Sequence, residues 1–405
     1  MQRGEPESFY ACVRLAAALA VMTIGGSGMY GMAVALAPVQ AEFGSDRGGA
    51  SLPYTLTMLG FGIGGILMGR LADRFGVAVP VMVGSVGLGA GFIAAGMSGS
   101  LLQFTLAHGI LIGLLGCSTT FAPLVADTSL WFNKHRGIAV AICASGNYLA
   151  GAVWPPILQY FFDTAGWRAT YIGVGVFCTA AMMLLSLLLH KRPPALDVGV
   201  VTRRTSSERP LGLSPDSLMI LLSVAGIGCC VAMSMPQVHI VAYCGDLGYG
   251  AARGAEMLSL MLASGIVSRL VSGWISDRIG GLRTLLLGSV LQGIALVLFL
   301  PFDGLVSLYV VSAMFGLFQG GIVPAYALII REYFSPREAG ARVGVVIMAT
   351  LFGMALGGWM SGAIFDLTGS YRAAFLNGIA FNLLNLALAF WLLRRAMQRG
   401  ALFTA

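Results

Sequence analysis

Polar residues are scarce along this chain, and they fall in short clusters between long apolar runs. The runs cover residues 13–37, 49–70, 77–98, 101–127, 137–162, 169–190, 217–243, 255–275, 282–301, 305–330, 340–365 and 371–393. A helix across a hydrocarbon core takes about 20 apolar residues, and each run is of that length. The pattern predicts an all-α membrane protein with twelve transmembrane helices. The first run is too long for the core of a secretory signal and predicts a retained span. The longest polar segment, KRPPALDVGVVTRRTSSERPLGLSPD (191–216), is rich in Pro, Arg and Ser and lies between the sixth and seventh runs. The expected organisation is a six-helix half over 1–190, a cytoplasmic linker over 191–216 and a second six-helix half over 217–405.

Composition narrows the class. Charged residues are 10% of the 405 and the set AVILMFWYC is 57%; a soluble domain carries about 25% charged residues. A soluble globular domain, a disordered chain, a disulfide-stapled secreted domain and a nucleic-acid binder are thereby excluded. The net charge of +7 has to be read by position. With both ends placed in the cytoplasm, 19 Lys and Arg fall on the cytoplasmic side. Four (Arg47, Arg168, Arg253, Arg372) fall outside, and one, Arg269, lies within a span. Basic residues mark the inner side, so both termini are expected in the cytoplasm, with the chain in a bacterial inner membrane as a monomer. The seven cysteines form no C-x-x-C pair, and no metal, disulfide or cofactor chemistry is expected. No Walker-type run occurs, which argues against direct ATP coupling.

The two halves repeat each other. GRLADRFG (69–76) matches GWISDRIG (273–280), placing Asp73 against Asp277 at an offset of 204. WFNKHRG starts at Trp131 and YFSPREAG at Tyr333, an offset of 202. FFDTAGWR ends at Arg168 and IFDLTGSYR at Arg372, again 204 apart. Parallel repeats of this kind are one architecture of secondary transporters, with the substrate site near mid-membrane between the halves.

The doubled G-x-x-x-D-R-x-G loop, with twelve spans and a central linker, resembles the major facilitator superfamily over the whole chain. WF-x-K-x-R-G-x-A-x-x-I-x-x-S-G (131–146) and the FDLTGSYR end (365–372) of the glycine-rich eleventh span are similar to the monocarboxylate porter branch and the related oxalate:formate antiporter. The resemblance implies a carboxylate-binding Arg in the eighth helix, at the place of Arg269. Two departures stand out. Animal monocarboxylate transporters carry an Asp one turn before that Arg, where this chain has Gly265, and a Lys in helix 1, where it has Tyr30. The oxalate antiporter has a second cation in helix 11, whereas no Lys or Arg lies between Arg342 and Arg372 here.

Arg269 carries the main chemical argument on its own terms. It lies eight residues before Asp277, about 12 Å along a helix. A charge that deep costs about 2.5–3.5 kcal/mol on the insertion scale and faces a cavity or partner. Guanidinium matches a carboxylate bidentately, and one deep cation suits a monoanion better than a dianion. Tyr30, Thr120, Asn147, Gln319 and Tyr326 are the polar residues best placed to complete a site. Gln319 and Tyr326 are seven apart on the tenth helix and hence on one face. His239 and His108 lie toward the outer side of their spans, and His239 is the candidate proton relay. Asp73, Arg74, Asp277 and Arg278 are candidate gating residues, since a carboxylate at that loop can accept from a neighbouring helix N-terminus. Pro155-Pro156 is expected to kink the fifth helix.

The expected function is secondary transport of small organic monocarboxylates of the lactate, pyruvate or formate type, coupled to protons, by alternating access. Alternatives are an organic anion exchanger without proton coupling, or a drug or sugar transporter of the same superfamily. A non-transporting receptor is disfavoured by the lack of a long cytoplasmic domain, and an enzyme by the lack of a catalytic constellation. The expected partners are a small organic anion, protons and the lipid bilayer.

Overall fold

The computed structural model describes residues 7–132, 134–191 and 210–403. The central part of the expected linker, 192–209, lies outside them, as do Arg3, Arg192, Arg203, Arg204 and Arg209. Without water to satisfy them, backbone amides in a bilayer core must pair within the chain, which favours helices. The described chain is all helical and spans twelve times. We number the spans α1 (Phe9–Phe43), α2 (Arg47–Phe75), α3 (Ala78–Gly96), α4 (Leu101–Trp131), α5 (Arg136–Ala165), α6 (Trp167–Leu187), α7 (Pro215–Asp246), α8 (Ala251–Ile279), α9 (Gly281–Leu298), α10 (Leu305–Tyr333), α11 (Glu338–Thr368) and α12 (Tyr371–Gln398). Every apolar run overlaps one of them.

Local chemistry sets the ends. Asp46 caps α2 by accepting from Gly49 N at 2.7 Å, and Ser100 caps α4 through Gln103 N. Such caps satisfy amides that the first turn leaves open. The glycine that closes each loop motif turns the chain through positive φ: Gly76 has φ 87° and Gly280 φ 82°. Side-chain-bearing residues avoid that region, which explains a Gly at both places.

The chain divides into two compact units: Met1–Val198 with Val238–Ala263, and Gly199–Gln237 with Ser264–Ala405. The first unit thus takes in, besides α1–α6, the last part of α7 and the first half of α8. Arg47 holds that segment with a fork onto Asp246, at 2.9 and 3.2 Å. Ser259 donates to Ala152 O, and Leu262 packs on Gly151. Elsewhere in this unit glycines let backbones meet. Gly89 of α3 and Gly175 of α6 face each other, and a Cβ on either would come within 2.8 Å of the other's carbonyl oxygen. Close approach through small residues is a recurrent way to hold spans together.

α4 is not a plain α-helix. After Leu101–Leu106 it widens to π-helix over Ala107–Gly116, tightens to 3-10 helix over Cys117–Thr120 and resumes as α-helix at Ala122. α10 is also broken, ending its first part at Gln319 and restarting at Ile322 after Gly320-Gly321. Gly320 and Gly321 leave the helical hydrogen-bond pattern while keeping right-handed helical φ and ψ. Pro155 and Pro156 do not end α5, which is helical from Arg136 to Ala165.

The core of the second unit holds a polar ladder among α7, α9, α10 and α12. Tyr326 donates to Asn385 Oδ1 at 2.8 Å, Asn385 to Ser289 Oγ at 2.7 Å, Asn382 to Gln292 Oε1 at 3.0 Å and Gln292 to Cys229 O at 3.2 Å. Each of these buried side chains has a partner, as an apolar surrounding demands.

Candidate functional site

In the second unit, Arg269 is half-buried on α8. Its helix meets the α10 break through small residues. A Cβ on Gly320 would come 2.5 Å from Gly265 O and 2.8 Å from the Ser268 side chain, and one on Gly321 would strike Ser272. Arg269 follows Ser268 directly, and Gln319 directly precedes Gly320. The two side chains therefore leave the backbone at one level of this unit. Gln319 is fully buried. Its Oε1 accepts from Gln237 Nε2 at 3.2 Å, while its own Nε2 has no hydrogen-bond partner among the described residues. Tyr326 lies in the polar ladder, its hydroxyl engaged by Asn385.

In the first unit, the residues singled out from the sequence divide by whether they have polar capacity left. Asn147 on α5 is half-buried, and its amide makes no hydrogen bond among the described residues. Tyr30 on α1 is buried, with its ring against Gly151, where a Cβ would come within 2.9 Å of Cζ. Thr120 donates to Cys117 O at 2.7 Å and presses its methyl onto Gly25, so it holds the α1–α4 contact. His239 is fully buried on α7. His108 is fully buried between Thr57 and Tyr171. The Thr57 hydroxyl donates to Pro53 O at 2.7 Å, so its oxygen accepts from His108 Nδ1–H at 3.3 Å. Nε2 then accepts from the Tyr171 hydroxyl at 3.3 Å. A neutral imidazole satisfies all three groups, and His108 reads as structural.

The loop motif is arranged otherwise than its sequence implies. Asp73, Arg74, Asp277 and Arg278 are all exposed. Arg74 lies over the Phe75 ring at 5.1 Å and Arg278 over Trp274 at 3.6 Å. Neither Asp73 nor Asp277 makes a hydrogen bond or ion pair among the described residues. The carboxylate at the α9 N-terminus belongs instead to Glu332 of α10, which accepts from Gly281 N at 2.8 Å. An acid one residue before the YFSPREAG repeat segment was the available sequence signal.

A second correction concerns charge inside spans. Arg269 is not alone there, because Arg14 on α1 is 3% exposed. It forks onto Asp127 of α4, which is 10% exposed, with Nε and Nη2 at 2.8 and 2.9 Å. Its guanidinium also lies 4.6 Å from the Trp131 ring centre. Arg14 counts as a flanking residue in the sequence because it stands near the start of its run. The N-terminal approach is strapped beneath it: Glu7 accepts from Lys134 N and His135 N at 2.7 and 2.9 Å.

Comparison with known proteins settles the class. The profile of the Major Facilitator Superfamily matches residues 16–307 and, in a second match, 220–402. The chain belongs to the Major Facilitator Superfamily. Its relatives include monocarboxylate transporters and other MFS-type transporters. It is 28% identical to monocarboxylate transporter 13 of Bos taurus, over 77% of this chain and 72% of that one. It is 26% identical to an uncharacterized MFS-type transporter of Bacillus subtilis (strain 168), over 82% and 83%. Among solved structures, a bacterial homologue of the human lysosomal transporter Spinster superposes with TM-score 0.74 at 15% identity, covering 96% of this chain and 98% of that one. A peptide transporter, POT, gives 0.74 at 13%, covering 96% and 95%. Those identities speak to the fold alone. The superfamily member is an integral membrane transporter of small solutes, not an enzyme.

Proposed function

We propose that this transporter carries small organic monocarboxylate anions of the lactate, pyruvate or formate type by alternating access, with the substrate carboxylate on Arg269. The observation that carries this reading is a half-buried guanidinium inside α8, one residue past the Ser268 contact with Gly320 of α10. An ionisable residue within a span marks a substrate or ion pathway by default, and guanidinium matches a carboxylate bidentately. The branch to which the relatives belong supports the same substrate class. Tyr30, Asn147 and His239 are the first-unit residues proposed to complete recognition. The charge count supports both termini in the cytoplasm of a bacterial inner membrane, and residues 1–190 and 217–405 are proposed as the two six-helix halves.

Proton symport is the first choice, because a proton carried with the anion limits the charge moved across the membrane. Anion exchange is the second. Gly265 stands where the resembling family has an acid, Asp127 is committed to Arg14, and His108 is satisfied as a neutral ring. Uptake of labelled L-lactate into proteoliposomes with an inside-alkaline pH gradient separates them. Symport predicts accumulation that collapses with a protonophore. Exchange predicts accumulation only when the vesicles are preloaded with anion. Neither kind of uptake, with sugar or drug transport instead, contradicts the monocarboxylate reading.

A further inference from the structure

α9 begins with a cation where a helix favours an anion. Its first residues are Gly281, Leu282 and Arg283, and its first turn carries no acid. The open amides of a helix N-terminus act as about +0.5 charge, and the Arg283 guanidinium adds to it. Glu332 of α10 answers part of this by accepting from Gly281 N at 2.8 Å. Arg283 itself is exposed and makes no hydrogen bond or ion pair among the described residues. It lines a cavity of about 390 Å³ where α8, α10 and α12 end and α9 begins. Glu332 and Tyr333 are the other polar parts of the wall, and the Tyr333 hydroxyl makes no hydrogen bond among the described residues. Ile279, Leu393 and Met397 are apolar parts of it. Ile279 and Met397 are also exposed, so the apolar wall runs out onto the surface of the spans. The repeat sets this place apart. At the offset of 202 Tyr333 corresponds to Trp131, which the start of the chain covers: the Tyr10 ring lies 5.3 Å from it, and Glu7 N donates to Trp131 O at 3.0 Å. At the offset of 204 Arg283 corresponds to Val79. The second copy has a cation where the first has none, and a cavity where the first is filled.

We infer that this cavity is a headgroup site for an anionic phospholipid of the phosphatidylglycerol type, with the phosphate on Arg283 and the Tyr333 hydroxyl and the lipid's apolar part along Ile279, Leu393 and Met397. Guanidinium matches a phosphate bidentately. Basic pockets between spans on the cytoplasmic side suit anionic head groups, and the cavity lies on the side proposed as cytoplasmic. Arg394 and Arg395, in the same turn of α12 as Leu393 and Met397, add positive charge beside it; they lie over the Phe390 and Trp391 rings at 5.8 and 5.1 Å. A soluble phosphate compound leaves the apolar wall wet, whereas a lipid covers it. The lipid phosphate also supplies the negative charge that the start of α9 lacks. None of these residues belongs to the proposed substrate site, so the inference stands whatever the transporter carries.

The test measures binding of dioleoylphosphatidylglycerol and dioleoylphosphatidylcholine to the purified full-length protein in detergent, by native mass spectrometry. It compares the wild type with Arg283→Gln, Ala396→Phe and Lys134→Gln. Ala396 also lines the cavity, so Ala396→Phe fills it and keeps every charge. Lys134→Gln removes an exposed cation of the first unit. We expect the wild type to bind phosphatidylglycerol at least about tenfold more tightly than phosphatidylcholine, the size of one charge-assisted contact. In Arg283→Gln and Ala396→Phe the preference falls to within about threefold, the residue left by exposed charge. Lys134→Gln keeps the wild-type preference. Arg283 is exposed, and a melting temperature in phosphatidylcholine like that of the wild type shows that Arg283→Gln is folded. An unchanged preference in folded Arg283→Gln, or a wild type with no preference, overturns the inference. An equal loss in Lys134→Gln would mean attraction to net charge rather than to a site, and overturns it too. Displacement of phosphatidylglycerol by millimolar inorganic phosphate would make the occupant a soluble anion and overturn the lipid assignment.

Discussion

The α4 break of the first unit and the α10 break of the second are the same device used for different ends. They fall at repeat-related places: Cys117 and Ser118 lie 202 residues before Gln319 and Gly320. At each, a broken helix is held against its neighbour by a glycine facing a serine, with the roles exchanged. In the first unit Gly64 of α2 backs onto Ser118 of α4. In the second, Ser268 of α8 backs onto Gly320 of α10. One residue along, the copies diverge. Gly65, with open space where its Cβ would be, corresponds to Arg269 at an offset of 204. Cys117, whose thiol donates to Gly25 O at 3.4 Å, corresponds to Gln319. The duplication kept the close backbone contact, which needs a missing side chain on one side only. It assigned packing to one copy and polar chemistry to the other.

The buried cations extend the contrast, and the largest effect tests it. In the first unit Arg14 is structural. Asp127→Ala strands it without its carboxylate, and breaking such a pair costs about 3–5 kcal/mol, read as a loss of thermal stability in detergent. Replacing both residues by Leu should recover most of that, whereas Arg269→Ala should leave the melting temperature within a few degrees. Equal losses from Asp127→Ala and Arg269→Ala would erase the distinction.

The glycine–serine contact predicts a middle-sized effect. Gly320→Ser forces a side chain onto Gly265 O and Ser268, and overpacking of this kind costs about 1–3 kcal/mol. Adding Ser268→Gly builds the first unit's arrangement into the second and should restore part of the loss, a coupling measurable by a double-mutant cycle. Additive effects would show that the two residues do not touch. Gly65→Ala, by contrast, should be neutral or stabilise by about 0.5–1 kcal/mol, since a helical glycine carries an entropic cost and nothing stands in the way.

The smallest effect is expected where charge meets solvent. Arg47 is nearly buried, but Asp246 is 36% exposed. Exposed pairs contribute about 0.2–1 kcal/mol and weaken with salt. Asp246→Asn should therefore lower stability slightly at low ionic strength and hardly at all in high salt. A loss as large as that of Asp127→Ala would place the two ion pairs in one class.

Much of this was legible from the chain. Long apolar runs read as spans because a bilayer leaves the backbone few options, and all twelve are present. The glycine closing each loop motif was visible as a repeat, and its positive φ gives the reason. The breaks in α4 and α10 were not legible. With 56 glycines in 405 residues, Gly320-Gly321 does not stand out from runs such as GFGIGGILMG. The Arg14–Asp127 pair was hidden because each residue sits near the end of an apolar run and so resembles flanking charge. Thr120 and Tyr326 looked available because a sequence shows hydroxyl groups but not the acceptors that engage them. Glu332, one position from a quoted motif, lacked any pattern tying it to Gly281, which lies 51 residues away.

The central claim is that Arg269 anchors a carboxylate, and equilibrium binding tests it most directly. Isothermal titration of the purified wild type with L-lactate should show saturable binding. Arg269→Gln, with a melting temperature like that of the wild type, should show none, and Arg269→Lys should bind at least about tenfold more weakly, since ammonium lacks the planar fork. Lactate binding of wild-type affinity to a folded Arg269→Gln protein would contradict the account.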